Sequence, residues 1–110
     1  MTDLLQGTLD LLILKVLAMG PMHGWGISER IEWMSDDVFS VNQGSLYPAL
    51  ERLLQRGLVE AEWGRTDENR RARYYELTPA GRERLRSEQA RWRETSAAVN
   101  RVLRLVEEES

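Results

Sequence analysis

The apolar positions switch between helical and strand periods along the chain, and each switch marks an element. Leu9, Leu12, Ile13, Val16 and Leu17 fall three or four residues apart, one stripe of a helix that opens near Thr8 and ends before Gly20 and Pro21. Leu11, Leu14 and Ala18 lie off that stripe. A helix apolar on more than one side needs two partners, so this second face is predicted to meet another subunit. A short second helix runs from Gly24 through Ile31 and Met34 and stops at Ser35, Asp36 and Asp37, with a loop through Val38 and Phe39 after it. Asn42 can cap a third helix whose Leu46, Leu50, Leu53 and Leu54 repeat the helical stripe and whose end Gly57 marks. Pro48 inside it removes one backbone bond, so a bend or an irregular first turn is expected.

Past Gly57 the period drops to two over residues 58–63 and again over 73–77, with a polar stretch, 64–72, between them. The pair reads as a β-hairpin with an arginine-bearing tip. Of the adjacent Tyr74 and Tyr75, one must face the core. Thr78 and Pro79 then form a helix start, a capping hydroxyl before a proline at the first helical position. The helix so opened reaches about Glu108. Along it Leu85, Trp92, Val99 and Val106 recur every seven residues, joined by Val102 and Leu103, a spacing that calls for a partner helix. Gln89 and Ser96 interrupt the stripe, which favours packing against the first helix of a second subunit over a uniform zipper seam.

Three helices, a hairpin and a fourth helix make a winged helix-turn-helix layout, a mainly α chain with a small β-hairpin (α+β). The division expected is residues 1–78 for the winged domain and 79–110 for a C-terminal dimerisation helix. At 110 residues the chain suits one modest core that a dimer partner would help. A content of 42% hydrophobic and 30% charged residues is that of a globular chain, neither disordered nor membrane-embedded. No apolar run is long enough to cross a bilayer and no signal peptide is evident, so a cytoplasmic location and no membrane partner are expected. No cysteine and one histidine leave no disulfide framework, no thiolate nucleophile and little for a metal site. With no phosphate-binding glycine motif either, catalytic residues, metal and cofactor are all predicted to be none.

A net charge of −3 speaks at first against nucleic acid, but its distribution changes that. Residues 1–64 carry four basic against nine acidic side chains, while residues 65–104 carry eleven arginines against six acids. A basic surface can therefore exist inside an acidic whole.

Several motifs, in order, resemble the PadR family of transcriptional regulators: Gly7-Thr8-Leu9, His23-Gly24-Trp25-Gly26-Ile27, Gly44-Ser45-Leu46-Tyr47-Pro48-Ala49-Leu50, Arg52-Leu53 and Gly57-Leu58-Val59. Arg73-Tyr74-Tyr75, Leu77-Thr78 and Gly81-Arg82 continue the match over nearly the whole chain. The single short C-terminal helix is similar to the smaller PadR subfamily. Trp25 departs from the tyrosine usual there, although an indole can still donate.

The resemblance implies a repressor that binds a palindromic double-stranded DNA operator as a homodimer and is released by a small hydrophobic effector. The residues then take roles. Asn42, Gln43, Gly44, Ser45, Tyr47 and Pro48 head the recognition helix, where Gln pairs with adenine, Ser meets base edge or phosphate, and Gly allows close approach. The plainer alternative is that Asn42 and Ser45 only cap and Tyr47 only packs. Arg70, Arg71 and Arg73 on the wing suit phosphates or the minor groove. His23 and Trp25 are candidates for the DNA backbone, His23 also as a cap; Trp33 and Trp63 read as packing. Leu11, Leu14, Leu85, Trp92, Val99, Leu103 and Val106 are expected at the dimer interface. Trp92 matches the aromatic that lines an effector cavity in drug-responsive relatives, against the simpler reading of a tryptophan packed in a seam. A winged-helix protein–protein adaptor without DNA binding remains the alternative function, since fold does not fix function.

Overall fold

Helix α1 (Gln6–Leu17) lies at the centre because it is apolar on nearly every side, and the elements that follow close over it. The computed structural model describes the backbone of residues 2–3 and 6–109 and the side chains of residues 7–105. Leu9, Ile13, Leu14, Val16 and Leu17 are buried against α2 (Gly24–Met34), α3 (Gln43–Gln55) and α4 (Pro79–Glu109). Ile27 and Ile31 of α2 and Leu46, Ala49, Leu50 and Leu53 of α3 complete this core. Of the second apolar face of α1, Leu14 is covered by the chain itself, while Leu11 and Ala18 are only partly covered. Leu14, 2% exposed, has no surface left for a partner, which corrects its expected place at the dimer interface. Periodicity shows that a face is apolar, not whose residues will cover it.

Two side-chain contacts fix α3. Arg52 reaches back to Asp10 of α1 at 3.1 Å, and Glu51, one residue earlier, faces the other way and meets Arg73 at 3.8 Å. Burial pushes the Asp10 carboxyl above the usual carboxylate range, with Arg52 opposing the shift. Asn42 caps α3 as expected, its Oδ1 accepting the Ser45 amide at 2.9 Å. The helix runs through Pro48. The bond that Pro48 cannot give would have gone to the Gly44 carbonyl, which stands in solvent on the exposed first turn.

The hairpin is longer than its alternation suggests. Strands β4 (Val59–Arg65) and β5 (Arg71–Leu77) pair from Val59↔Leu77 to Arg65↔Arg71, so the turn is only residues 66–70. Strand β2 (Met22–His23) adds to β5 as a third strand, placing His23 opposite Tyr74. A separate parallel pair joins β1 (Thr2–Asp3) to β3 (Phe39–Ser40). Tyr75 is the tyrosine that enters the core; Tyr74 lies on the other face and donates its hydroxyl to the Arg65 carbonyl.

Thr78 joins hairpin to α4. Its hydroxyl accepts the Gly81 amide at 3.0 Å and donates to the Gly57 carbonyl at 2.7 Å, while its amide donates to the Leu58 carbonyl at 3.1 Å. Gly81 and Leu85 then press onto the domain. Leu85, 7% exposed, belongs to the subunit's own core, a second correction to the expected dimer interface. Its heptad position falls where α4 still rests on the body. Trp92, Val99, Val102, Leu103 and Leu105 lie farther along and are all at least half exposed. The Val106 side chain lies outside the described residues. No helix among the described residues is long and apolar enough to cross a membrane.

Candidate functional site

Strand register decides what the wing presents, because alternate residues face opposite ways. Ala61, Trp63 and Arg65 of β4 share one face with Tyr75, Arg73 and Arg71 of β5. Glu60, Glu62, Tyr74 and Glu76 share the other. The paired strands therefore carry their arginines on one side and their carboxylates on the opposite side. A negative chain obtains a basic face in this way, by segregation rather than by excess.

That basic face forms one wall of a groove of about 820 Å³. The first turn of α2 and Tyr47 of α3 form the other wall, so His23, Trp25, Tyr47, Arg70, Arg71 and Arg73 meet in one place. Glu29, Asp67 and Glu68 line it too and offset much of the positive charge. Gln43, Gly44, Ser45 and Pro48 are exposed on α3 beside the groove without lining it. Asn42 is exposed and has its side-chain oxygen committed to the cap. Because Ser45 and Leu46 donate to Asn42, the amides of Gln43 and Gly44 are left with no intrahelical acceptor.

Each groove residue has a local reason for its place. His23 caps α2: its Nδ1 accepts the Gly26 amide at 3.0 Å, and its ring meets Tyr74 edge-on at 5.3 Å. Trp25, in the next turn, stands exposed at the groove mouth. Tyr47 lies across Gly24, where a Cβ would come within 2.7 Å of its hydroxyl, so the glycine seats the ring. Arg71 lies over Trp63, 4.4 Å from the ring centroid. Arg73 shares its charge with Glu51 and stands 5.7 Å from the Tyr75 ring centroid, while burial pushes the Tyr75 phenol up.

Sequence reasoning missed three participants. Arg65 sits on the basic face opposite Arg71, because β4 extends two residues beyond the alternating run. Glu51 occupies the exposed side of α3 and restrains Arg73. Trp63, read only as packing, is exposed and lies under the Arg71 guanidinium. Continuing the period-two count to residue 65 would have found the first; Trp63 was already inside the alternating run, and nothing local points to Glu51. Trp33, also read as packing, is 72% exposed at the end of α2.

A second, shallower hollow of about 280 Å³ lies between α1 and α4, lined by Gly7, Thr8, Leu11, Glu88, Arg91, Trp92 and Thr95. Leu11 is half-buried and Trp92 is 50% exposed. Both keep apolar surface that nothing among the described residues covers.

Comparison with known proteins gives a consistent result. Residues 13–87 match the model of the transcriptional regulator PadR-like family. The fold superposes on a transcriptional regulator from Clostridium thermocellum with TM-score 0.79 and 28% identity, covering 87% of this chain and 93% of that one. A PadR-like transcriptional regulator from Bacillus cereus gives TM-score 0.76 and 26% identity over 89% of this chain and 93% of that one. A 37.1 kDa protein from a transposon of Streptomyces fradiae is 44% identical over 79 residues, 72% of this chain but only 21% of that protein.

Proposed function

The chain belongs to the transcriptional regulator PadR-like family, and on that premise we propose that it is a repressor that binds a palindromic DNA operator as a homodimer. The observation that carries this is the charge-segregated hairpin, whose arginine face and α3 border one groove. The exposed head of α3 (Asn42, Gln43, Gly44, Ser45, Tyr47, Pro48) enters the major groove, where Gln43 meets a base edge and the free amides of Gln43 and Gly44 meet phosphate. Arg70, Arg71, Arg73 and the added Arg65 hold the flanking backbone or minor groove. His23 and Trp25 border the same strand of backbone. The acids of the groove keep non-specific affinity low, so operator choice rests on the α3 contacts.

Residues 1–78 supply this DNA-binding unit, and α4 supplies the dimer through Trp92, Val99 and Leu103, joined by Leu11 of α1. The regulator works in the cytoplasm, where its DNA is, and not as an enzyme. Fragments of the source genome retained by the purified protein should share an inverted repeat with half-site centres about 34 Å apart. Gln43→Ala should relax preference at one position in each half-site, a discrimination of roughly 1–3 kcal/mol. Retained fragments with no common sequence would refute operator recognition, and retention of no DNA at all would favour the adaptor reading.

Release by a small hydrophobic effector is part of the same proposal. A partner subunit laid over the hollow beside Leu11 and Trp92 would close it into a site for a planar apolar molecule. Such compounds should quench tryptophan emission in the wild type and far less in Trp92→Ala. Equal quenching in both would leave Trp92 a packing residue only.

A further inference from the structure

The wing carries an aromatic residue that the fold does not need. Trp63 is 59% exposed near the end of β4, where a polar side chain would satisfy the strand equally well. What it does touch is Arg71, whose guanidinium lies over the indole at 4.4 Å from its centroid. Pairing makes this contact possible: Trp63 is opposite Arg73, so Arg71 is its diagonal neighbour on the same face. Arg71 belongs to no ion pair among the described residues, whereas Arg73 is held by Glu51.

We propose that Trp63 is a positioning residue for DNA recognition, its indole holding the Arg71 guanidinium on the groove side of the wing before a duplex arrives. This rests on the DNA-binding reading and deepens it. A free arginine side chain loses much rotamer freedom when a contact immobilises it. One already laid on an aromatic face has lost part of that freedom in the unbound protein. Stacking uses the face of the guanidinium and leaves its in-plane N–H groups to donate to phosphate oxygens. A lysine or an unsupported arginine at position 71 would give the same charge without the same fixed direction.

The test is a double-substitution cycle on a fluorescein-labelled duplex cut from a genomic fragment that the wild-type protein retains. Trp63→Leu should weaken binding about three- to fivefold per half-site, because DNA must then order an arginine that the indole no longer restrains, and Trp63→Tyr should keep most of the wild-type affinity. In an Arg71→Gln background Trp63→Leu should change nothing further, because the residue it positions is gone. Without DNA, the Arg71 Hε resonance should be shifted upfield by the indole ring current and return on Trp63→Leu, with the melting temperature lowered by only a few degrees. Affinity decreases that multiply in the double variant, or an Arg71 Hε that ignores Trp63→Leu, overturn the positioning role while leaving DNA binding intact. A wild-type protein that retains no duplex overturns the DNA-binding reading, and the positioning role with it.

Discussion

Gly81→Ala should destabilise the protein by about 3 kcal/mol, near the upper end for overpacking, and lower its melting temperature by on the order of 10–20 °C. An added Cβ would sit 2.0 Å from the Leu58 carbonyl oxygen and 3.0 Å from Leu77 Cδ2. The first of these is backbone, so no rotamer change relieves it. Moving α4 away instead would break the Thr78 amide bond to that carbonyl, the Gly81 cap and the Thr78 bond to Gly57 together. Leu85, one turn on, would leave the core as well. Arg82→Ala, exposed and one residue along, should cost under about 0.5 kcal/mol and serves as the control. Thermal melts of both variants check the contrast; a Gly81→Ala protein as stable as the wild type would mean that α4 is not seated where the contact requires.

Ending the chain after Arg91 should give a folded monomer that binds a two-half-site duplex about 100- to 10,000-fold more weakly than the full chain. Gly81 and Leu85 remain, so the core keeps its lid. The truncation removes Trp92, Val99, Val102, Leu103 and Leu105, the half-exposed stripe along a helix of 31 residues, about 46 Å at 1.5 Å each. So much apolar surface on one projecting helix calls for a covering partner. Light scattering reads the mass, and binding to duplexes with one and two half-sites reads the avidity. A truncated protein that stays dimeric, or that still prefers two half-sites by the full factor, would show that the subunits meet elsewhere.

Local chemistry was legible in the sequence wherever a signal and its consequence lie within one turn. Asn42 and Ser45 announce the start of α3, and Thr78 with Pro79 announces α4. Each is a side chain beside the amide it satisfies. Features that depend on tertiary placement were not legible. Leu14 and Leu85 are apolar at helical spacing in either case; only packing assigns them to the subunit rather than to a partner. His23 reads as a cap of α2, and nothing near it or Met22 predicts pairing with Tyr74 and Tyr75, some fifty residues away. The wing lies between these extremes. Its arginines were evident, but which of them share a face with Trp63 depends on a register that runs past the alternating residues to Arg65 and Arg71.

In the proposed function, DNA recognition depends on the arginine face of the wing meeting the phosphate backbone, and the salt dependence of duplex binding measures that most directly. Removing one phosphate contact should flatten the slope of log affinity against log salt by about one unit. The double variant Arg70→Ala with Arg71→Ala removes two contacts from each subunit of the dimer and should therefore flatten it by about four units on operator and scrambled duplex alike. Glu51→Gln, which frees Arg73 from its carboxylate in each subunit, should move the slope the opposite way by up to about two units. Slopes that stay at the wild-type value in both variants, while the protein still binds, would mean that the wing does not hold the backbone.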